Sequence, residues 1–161
     1  MKILVLCDDR WHPAATVKNG LAPLAQRGFE FDFWEDARDW SAEKMARYNV
    51  VILSKSNHGS STDHEPWMTP EIENAFLDYV RCGNGLLAIH SGTSGYQKNP
   101  TLRALLGGVF VRHPPQCETM IEPCESHVLC DASTRFAVWD EHYFMELDDK
   151  AADVFLTTES E

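Results

Sequence analysis

The chain has 161 residues, of which 43% are apolar, 11% aromatic and 24% charged. That length and balance fit one folded domain, residues 1–161, and exclude a wholly disordered chain. Fourteen Lys and Arg against 25 Asp and Glu leave a formal charge of −11, which speaks against nucleic acid or an anionic membrane as a partner. The charge is uneven. Residues 118–161 hold twelve acidic residues and two basic ones, Arg135 and Lys150, whereas residues 1–117 are nearly balanced. No stretch approaches the ~20 apolar residues that span a bilayer, and the first residues lack a signal-peptide layout. The five cysteines, an odd number, are expected to be reduced thiols in a cytoplasmic protein.

Lys2 to Cys7 is a continuous apolar run, the pattern of a strand buried on both faces of a parallel sheet. Residues 14–27 predict a helix with Ala14, Val17, Leu21, Leu24 and Ala25 on one side, Pro23 interrupting it and Gly28 ending it. Phe29, Phe31 and Phe33 alternate with Glu30, Asp32 and Trp34, as in a half-exposed strand. A short helix around 41–48 leads to a second buried strand, Val50 to Leu53. The clearest helix spans 70–82, with Thr69 as N-cap, Pro70 at the first helical position and Gly83 as the stop. Leu86 to Ile89 reads as a third buried strand, followed by a Gly/Ser turn at 91–95 and a short helix near 100–106. This β/α alternation implies a parallel sheet with helices on both faces. From about 108 onward the pattern changes to short β pieces at 108–112, 118–122, 135–138, 142–147 and 153–157.

Ligands of open parallel α/β sheets bind at the carboxyl ends of the strands. Three polar clusters meet that rule. After the first strand come Asp8, Asp9, Arg10, Trp11 and His12. The 54–68 segment offers Ser56, Asn57, His58, Asp63 and His64, in a loop long enough to be either a functional lid or a solvated connection. The third cluster is Gly85-Leu86-Leu87-Ala88-Ile89-His90-Ser91-Gly92, a strand running into a tight turn, which is the setting of a nucleophile elbow. The tip is His90, a candidate general acid, base or metal ligand, with Ser91 one step off it.

The acidic quarter contains Asp140-Glu141-His142-Tyr143. If that stretch is extended, Glu141 and Tyr143 point one way and Asp140 and His142 the other, so a carboxylate there is available to orient a site histidine such as His90. His113, Cys117, Cys124, His127 and Cys130 offer zinc-type ligands but lack paired CxxC knuckles. No GxGxxG, P-loop or HExxH is present, so no cofactor is expected, and whether a metal binds is left open.

The stretches at 55–96 (KSNHGSSTDHEPWM to LLAIHSGTSGY), 107–117, 126–146 (with FAVWDEHYF) and 154–161 resemble the ThuA-like, or trehalose-utilisation, family over nearly the whole chain. The resemblance implies the fold of the class I glutamine amidotransferase superfamily, a flavodoxin-like three-layer α/β/α sandwich with a mainly parallel sheet. Laid on the amidotransferase pattern, Ala88 to Gly92 puts His90 where the nucleophilic cysteine stands. An imidazole cannot form the thioester, so glutamine hydrolysis is not expected. The resemblance further implies action on a sugar or an oxidised sugar such as a keto-glycoside, with His58, His90, His113, Glu141 and His142 lining the pocket. It also implies a closing C-terminal strand and helix, which this chain is expected to lack.

The expected site therefore has His90, Glu141 and His142 as catalytic residues and Asp9, His12, Ser56, Asn57, His58, Ser91, Gly92 and His113 around the substrate. A non-catalytic sugar-binding domain and a metal-dependent hydrolase are the alternatives. The expected partner is a small sugar-like molecule. Tryptophans such as Trp34, Trp67 and Trp139 allow for surface anchors in a homo-oligomer.

Overall fold

The computed structural model describes residues 1–124, 127–130, 133–148 and 152–160. The chain divides into two compact units, Met1–Val109 and Phe110–Glu161. The first unit runs β1 (Lys2–Leu6), α1 (Ala14–Ala25), β2 (Glu30–Trp34), α2 (Ala42–Met45), β3 (Val50–Leu53), α3 (Pro70–Arg81), β4 (Gly85–Ala88) and α4 (Pro100–Leu106). Its four strands are parallel in the order β2-β1-β3-β4, the beginning of a flavodoxin-like doubly wound sheet. The alternation of the sequence is thus the alternation of the fold.

Because successive side chains of a strand face opposite ways, an apolar run such as Lys2–Cys7 builds two cores at once. Ile3, Val5 and Cys7 join Ala14 and Ile52 on one face, where Val17 and Leu21 of α1 pack. Leu4 and Leu6 join Val51 and Leu53 on the other face, with Met45 of α2, Phe76 and Tyr79 of α3 and Leu102 of α4. This makes the three layers.

Thr69 caps α3, its side chain accepting from the Ile72 amide, and Gly83 beyond the helix takes φ +91°. The buried Glu73 of α3 accepts from the Thr101 and Leu102 amides at the start of α4 and from Asn99 Nδ2. Its carboxylate thereby satisfies helix N–H groups that have no intrahelical partner.

Two expectations need correction. Pro23 does not interrupt α1, which continues to Ala25; the proline sits near the end of the helix, so it removes a bond only there. The run at Leu86 is not a strand buried on both faces. It is the edge of the sheet, and Leu87 is 51% exposed. An apolar run has the same spacing whether or not a further strand lies beside it.

The second unit is built from antiparallel and short pieces. β5 (Gly108–Arg112) pairs with β8 (Phe144–Leu147), while β6 (Cys117–Pro123) lies between β7 (Phe136–Asp140) and β9 (Leu156–Glu159). The last strand starts three residues later than the spacing predicts. The buried start of β5, Gly108 and Val109, falls in the first unit; from Phe110 on, only Thr119 and Cys130 are buried among the described residues. No three of His113, Cys117, Cys124, His127 and Cys130 bring ligand atoms within 4.8 Å of one another, so the zinc-like spacing is not a zinc-like cluster. Among the described residues no helix is long and apolar enough to cross a membrane.

Candidate functional site

The order β2-β1-β3-β4 places the topological switch between β1 and β3, because the chain leaves β1 toward β2 and leaves β3 toward β4. A crevice at the carboxyl ends of these two strands is the expected ligand position. The polar residues there are organised around two consecutive carboxylates.

Asp8 has φ +71°, an uncommon conformation for a residue with a Cβ, and it ends β1 by turning the chain. Its Oδ1 accepts from the Ala14 amide at 3.1 Å and its Oδ2 from the Ser61 amide at 3.0 Å. Asp8 therefore ties the start of α1 to the loop after β3.

Asp9 is 1% exposed. Its Oδ1 accepts from the Trp11 amide (2.9 Å), the His12 amide (3.0 Å) and His12 Nδ1 (2.8 Å), and its Oδ2 from the Ser56 amide (2.8 Å). Burial acts to raise the Asp9 carboxyl. The bonds from the His12 ring and from the Ser56 and Trp11 amides outweigh it and hold the group far below the ordinary carboxylate range. Asp8 is lowered on the same logic, its bonds to Ser61 and Ala14 prevailing over burial.

His90 stands at the tip of the expected elbow with φ +50°. It opens a 3-10 turn, His90–Thr93, immediately after β4. Gly92 makes the turn possible: a Cβ there would lie 1.9 Å from the Leu53 carbonyl oxygen. Gly92 thus shapes the elbow by close approach to β3. Ser91 is 1% exposed, and its Oγ has no hydrogen-bond partner among the described residues.

The rings of His12 and His90 meet edge to face, with centroids 5.0 Å apart and planes at 82°. With Asp9 ionised and accepting, His12 Nδ1 carries a proton toward it. This is the arrangement by which a carboxylate fixes the tautomer and direction of a reacting imidazole. The carboxylate that orients a site histidine in this unit is Asp9, acting on His12.

The long loop is pinned along its length. Lys55 is 1% exposed and donates to the carbonyls of Glu35 (3.2 Å), His58 (3.0 Å) and Gly59 (2.5 Å). Burial pulls its ammonium down, against Asp9 and Asp8, which push it up. Asn57 Oδ1 accepts from the Trp67 and Met68 amides, and its Nδ2 donates to Gly95 and Asn99. Asn57 holds the loop and the turn after the elbow together. Ser56 Oγ lies 3.1 Å from His58 Nδ1, and the His58 and His64 rings are 5.6 Å apart. Burial lowers the His58 imidazole, with Asp9 acting the other way.

Asp9, His12, Ser56, His58, His90, Ser91 and Gly92 are thus joined through one network and one elbow. His113, Glu141 and His142 belong to the second unit. There Glu141 Oε2 is 3.6 Å from His113 Nε2, and Tyr143 packs on Phe110 and His113. His142 Nδ1 meets Ser160 Oγ at 2.6 Å and its ring stacks on Phe144. Glu141 and Tyr143 share a side, as the alternation predicts. Trp67 is a core residue, 8% exposed and bonded through Nε1 to the Ser56 carbonyl, while Trp139 is 72% exposed. Lys55 is not among the loop residues that residue type singles out; its place two residues past the end of the buried strand β3 is the available sign.

A crystal structure of a ThuA-like protein from Bacteroides uniformis is similar to this chain, with a TM-score of 0.69 and 22% identity. The match covers 97% of this chain and 66% of the other, so this chain spans just under two thirds of that protein's length; at this identity the likeness speaks for the fold. A search of curated proteins finds no match. The family model described as trehalose utilisation, ThuA, matches residues 2–161. With its parallel sheet, its elbow and that match along the whole chain, the protein belongs to the ThuA family.

Proposed function

We propose that this chain acts on a sugar or an oxidised sugar such as a keto-glycoside, with His90 as acid/base and His12 as its partner. The observation that carries the reading is the pair itself: His12, fixed through Nδ1 by a buried carboxylate, lies edge-on to a histidine held at the tip of a strained elbow. An oxidised sugar has an acidified C–H next to its carbonyl. Two neighbouring imidazoles supply one group to take that proton and another to return one, at a pH near neutrality. Ser56 and His58 supply polar contacts beside them. A thioester route is excluded by chemistry, since the elbow tip is an imidazole and not a thiol.

The test is turnover of a panel of glycosides and keto-glycosides by the wild type and by His90→Asn, with the fold checked by circular dichroism. Loss of a positioned general acid/base lowers the rate by about 10²–10⁴-fold. Equal turnover by the variant sinks the proposal.

One observation favours a second reading, metal-assisted hydrolysis. His12 and His90 each offer a ring nitrogen, and these lie within 4.8 Å of one another. A carboxylate on the remote nitrogen of a histidine is also how proteins orient metal ligands. Titration with Zn²⁺ and Mn²⁺ separates the readings: the metal reading requires stoichiometric uptake that His12→Asn and His90→Asn each abolish, and no uptake removes it.

A further inference from the structure

Asp9 Oδ1 fixes more than His12. The same oxygen accepts from the Trp11 amide at 2.9 Å, and the Asp9 amide donates to the His12 carbonyl at 3.2 Å. Residues 9–12 are therefore closed into a tight turn at the carboxyl end of β1. That turn presents Trp11 with 67% of its surface exposed. The Arg10 guanidinium lies 4.5 Å from the ring centroid, so one indole face carries a cation while most of the residue stays open to solvent. An indole is a rigid, two-rotor apolar surface, and its exposure forgoes the gain that burying it would bring. The side chains joined through the Asp9 network and the elbow, Asp9, His12, Ser56, His58 and His90, are all polar.

A pyranose ring has hydroxyls around its edge and an apolar C–H face. A site for it needs polar groups for the edge and a flat apolar surface for the face. The Asp9 network supplies the polar groups; Trp11 supplies the flat surface, one residue from His12, its backbone amide held by the same carboxylate oxygen. We infer that Trp11 is a substrate-binding platform on which a glycosyl ring stacks, with Arg10 holding the indole in place. This rests on the proposed sugar reading and names which part of the sugar the strand-end turn recognises.

Calorimetric binding of trehalose and of methyl α-glucoside is measured on the His90→Asn protein, alone and combined with Trp11→Ala or Trp11→Phe. Because no turnover is needed, the readout does not depend on the acid/base assignment. Trp11→Ala is expected to weaken binding about tenfold and Trp11→Phe by less, with the melting temperature unchanged since the ring is exposed. In the active protein Trp11→Ala raises KM and leaves kcat within about threefold. Binding that is equal with and without Trp11 overturns the platform and leaves the sugar reading standing. Absence of both binding and turnover of every sugar and keto-sugar by the wild type overturns the sugar reading, and the platform with it.

Discussion

β1 and β7 are both five-residue strands rich in apolar side chains, KILVL and FAVWD. In β1, Ile3 to Leu6 are at most 5% exposed, whereas every residue of β7 is exposed, Trp139 to 72%. The difference lies in the layers around each strand. β1 is an inner strand of a parallel sheet with α1 on one face and α2, α3 and α4 on the other. β7 belongs to an antiparallel sheet in a unit with no α-helix among its described residues. Apolar side chains make a strand possible, and the neighbouring layers decide what it buries. The same contrast governs the polar groups. Asp9 is buried with four donors on its carboxylate, while Asp140 is exposed and accepts from the Glu141 amide.

The contrast predicts its largest effect in hydrogen exchange. Amides of β1 and β3 exchange only through global unfolding, on the order of 5 kcal/mol or more, while those of β7 exchange through much smaller openings. Equal protection in the two strands breaks the comparison. Next comes Gly92→Ala, whose Cβ must displace the β3 backbone at Leu53; it costs about 3 kcal/mol in denaturant melts. Val138→Ala, on an exposed strand of the other unit, is expected to cost under about 1 kcal/mol.

Asp9→Asn places an amide where four donors converge and loses about 2 kcal/mol at pH 7; Asp140→Asn stays within about 0.5 kcal/mol. The pH dependence separates them further. The Asp9 carboxyl titrates lower in the folded protein than in the unfolded chain. Its stabilisation is therefore complete above the ordinary carboxylate pKa of about 4 and is lost as pH falls toward the folded value. Melting temperatures of Asp9→Asn across pH 2–7 should show a shallower acid limb than the wild type. An unchanged limb contradicts the network.

A further effect works in the opposite direction. His90 holds φ +50°, a conformation that glycine adopts without penalty. His90→Gly relieves up to about 1 kcal/mol of backbone strain and gives up the ring's contact with His12 along with the imidazole. A gain in melting temperature together with lost turnover identifies the elbow as strain kept for function. A loss of stability shows that the ring packs for the fold.

Local periodicity determined much of this protein. The β/α alternation to residue 106, the Thr69 cap with Pro70 and Gly83, and the elbow at His90 are all set by spacing within a few residues, because strand and helix side-chain periods act over that range. The strand-end rule then brought Asp9, His12, Ser56, His58 and His90 into one candidate site. Tertiary structure alone decided what each residue does there. Asp9 reaches Ser56 across 47 positions, and Asn57 reaches Asn99 across 42. Lys55 became a buried clamp and β4 became a sheet edge by virtue of what lies beside them. Burial, tautomer and pKa are properties of neighbours brought together from distant parts of the chain, and no window of sequence contains them.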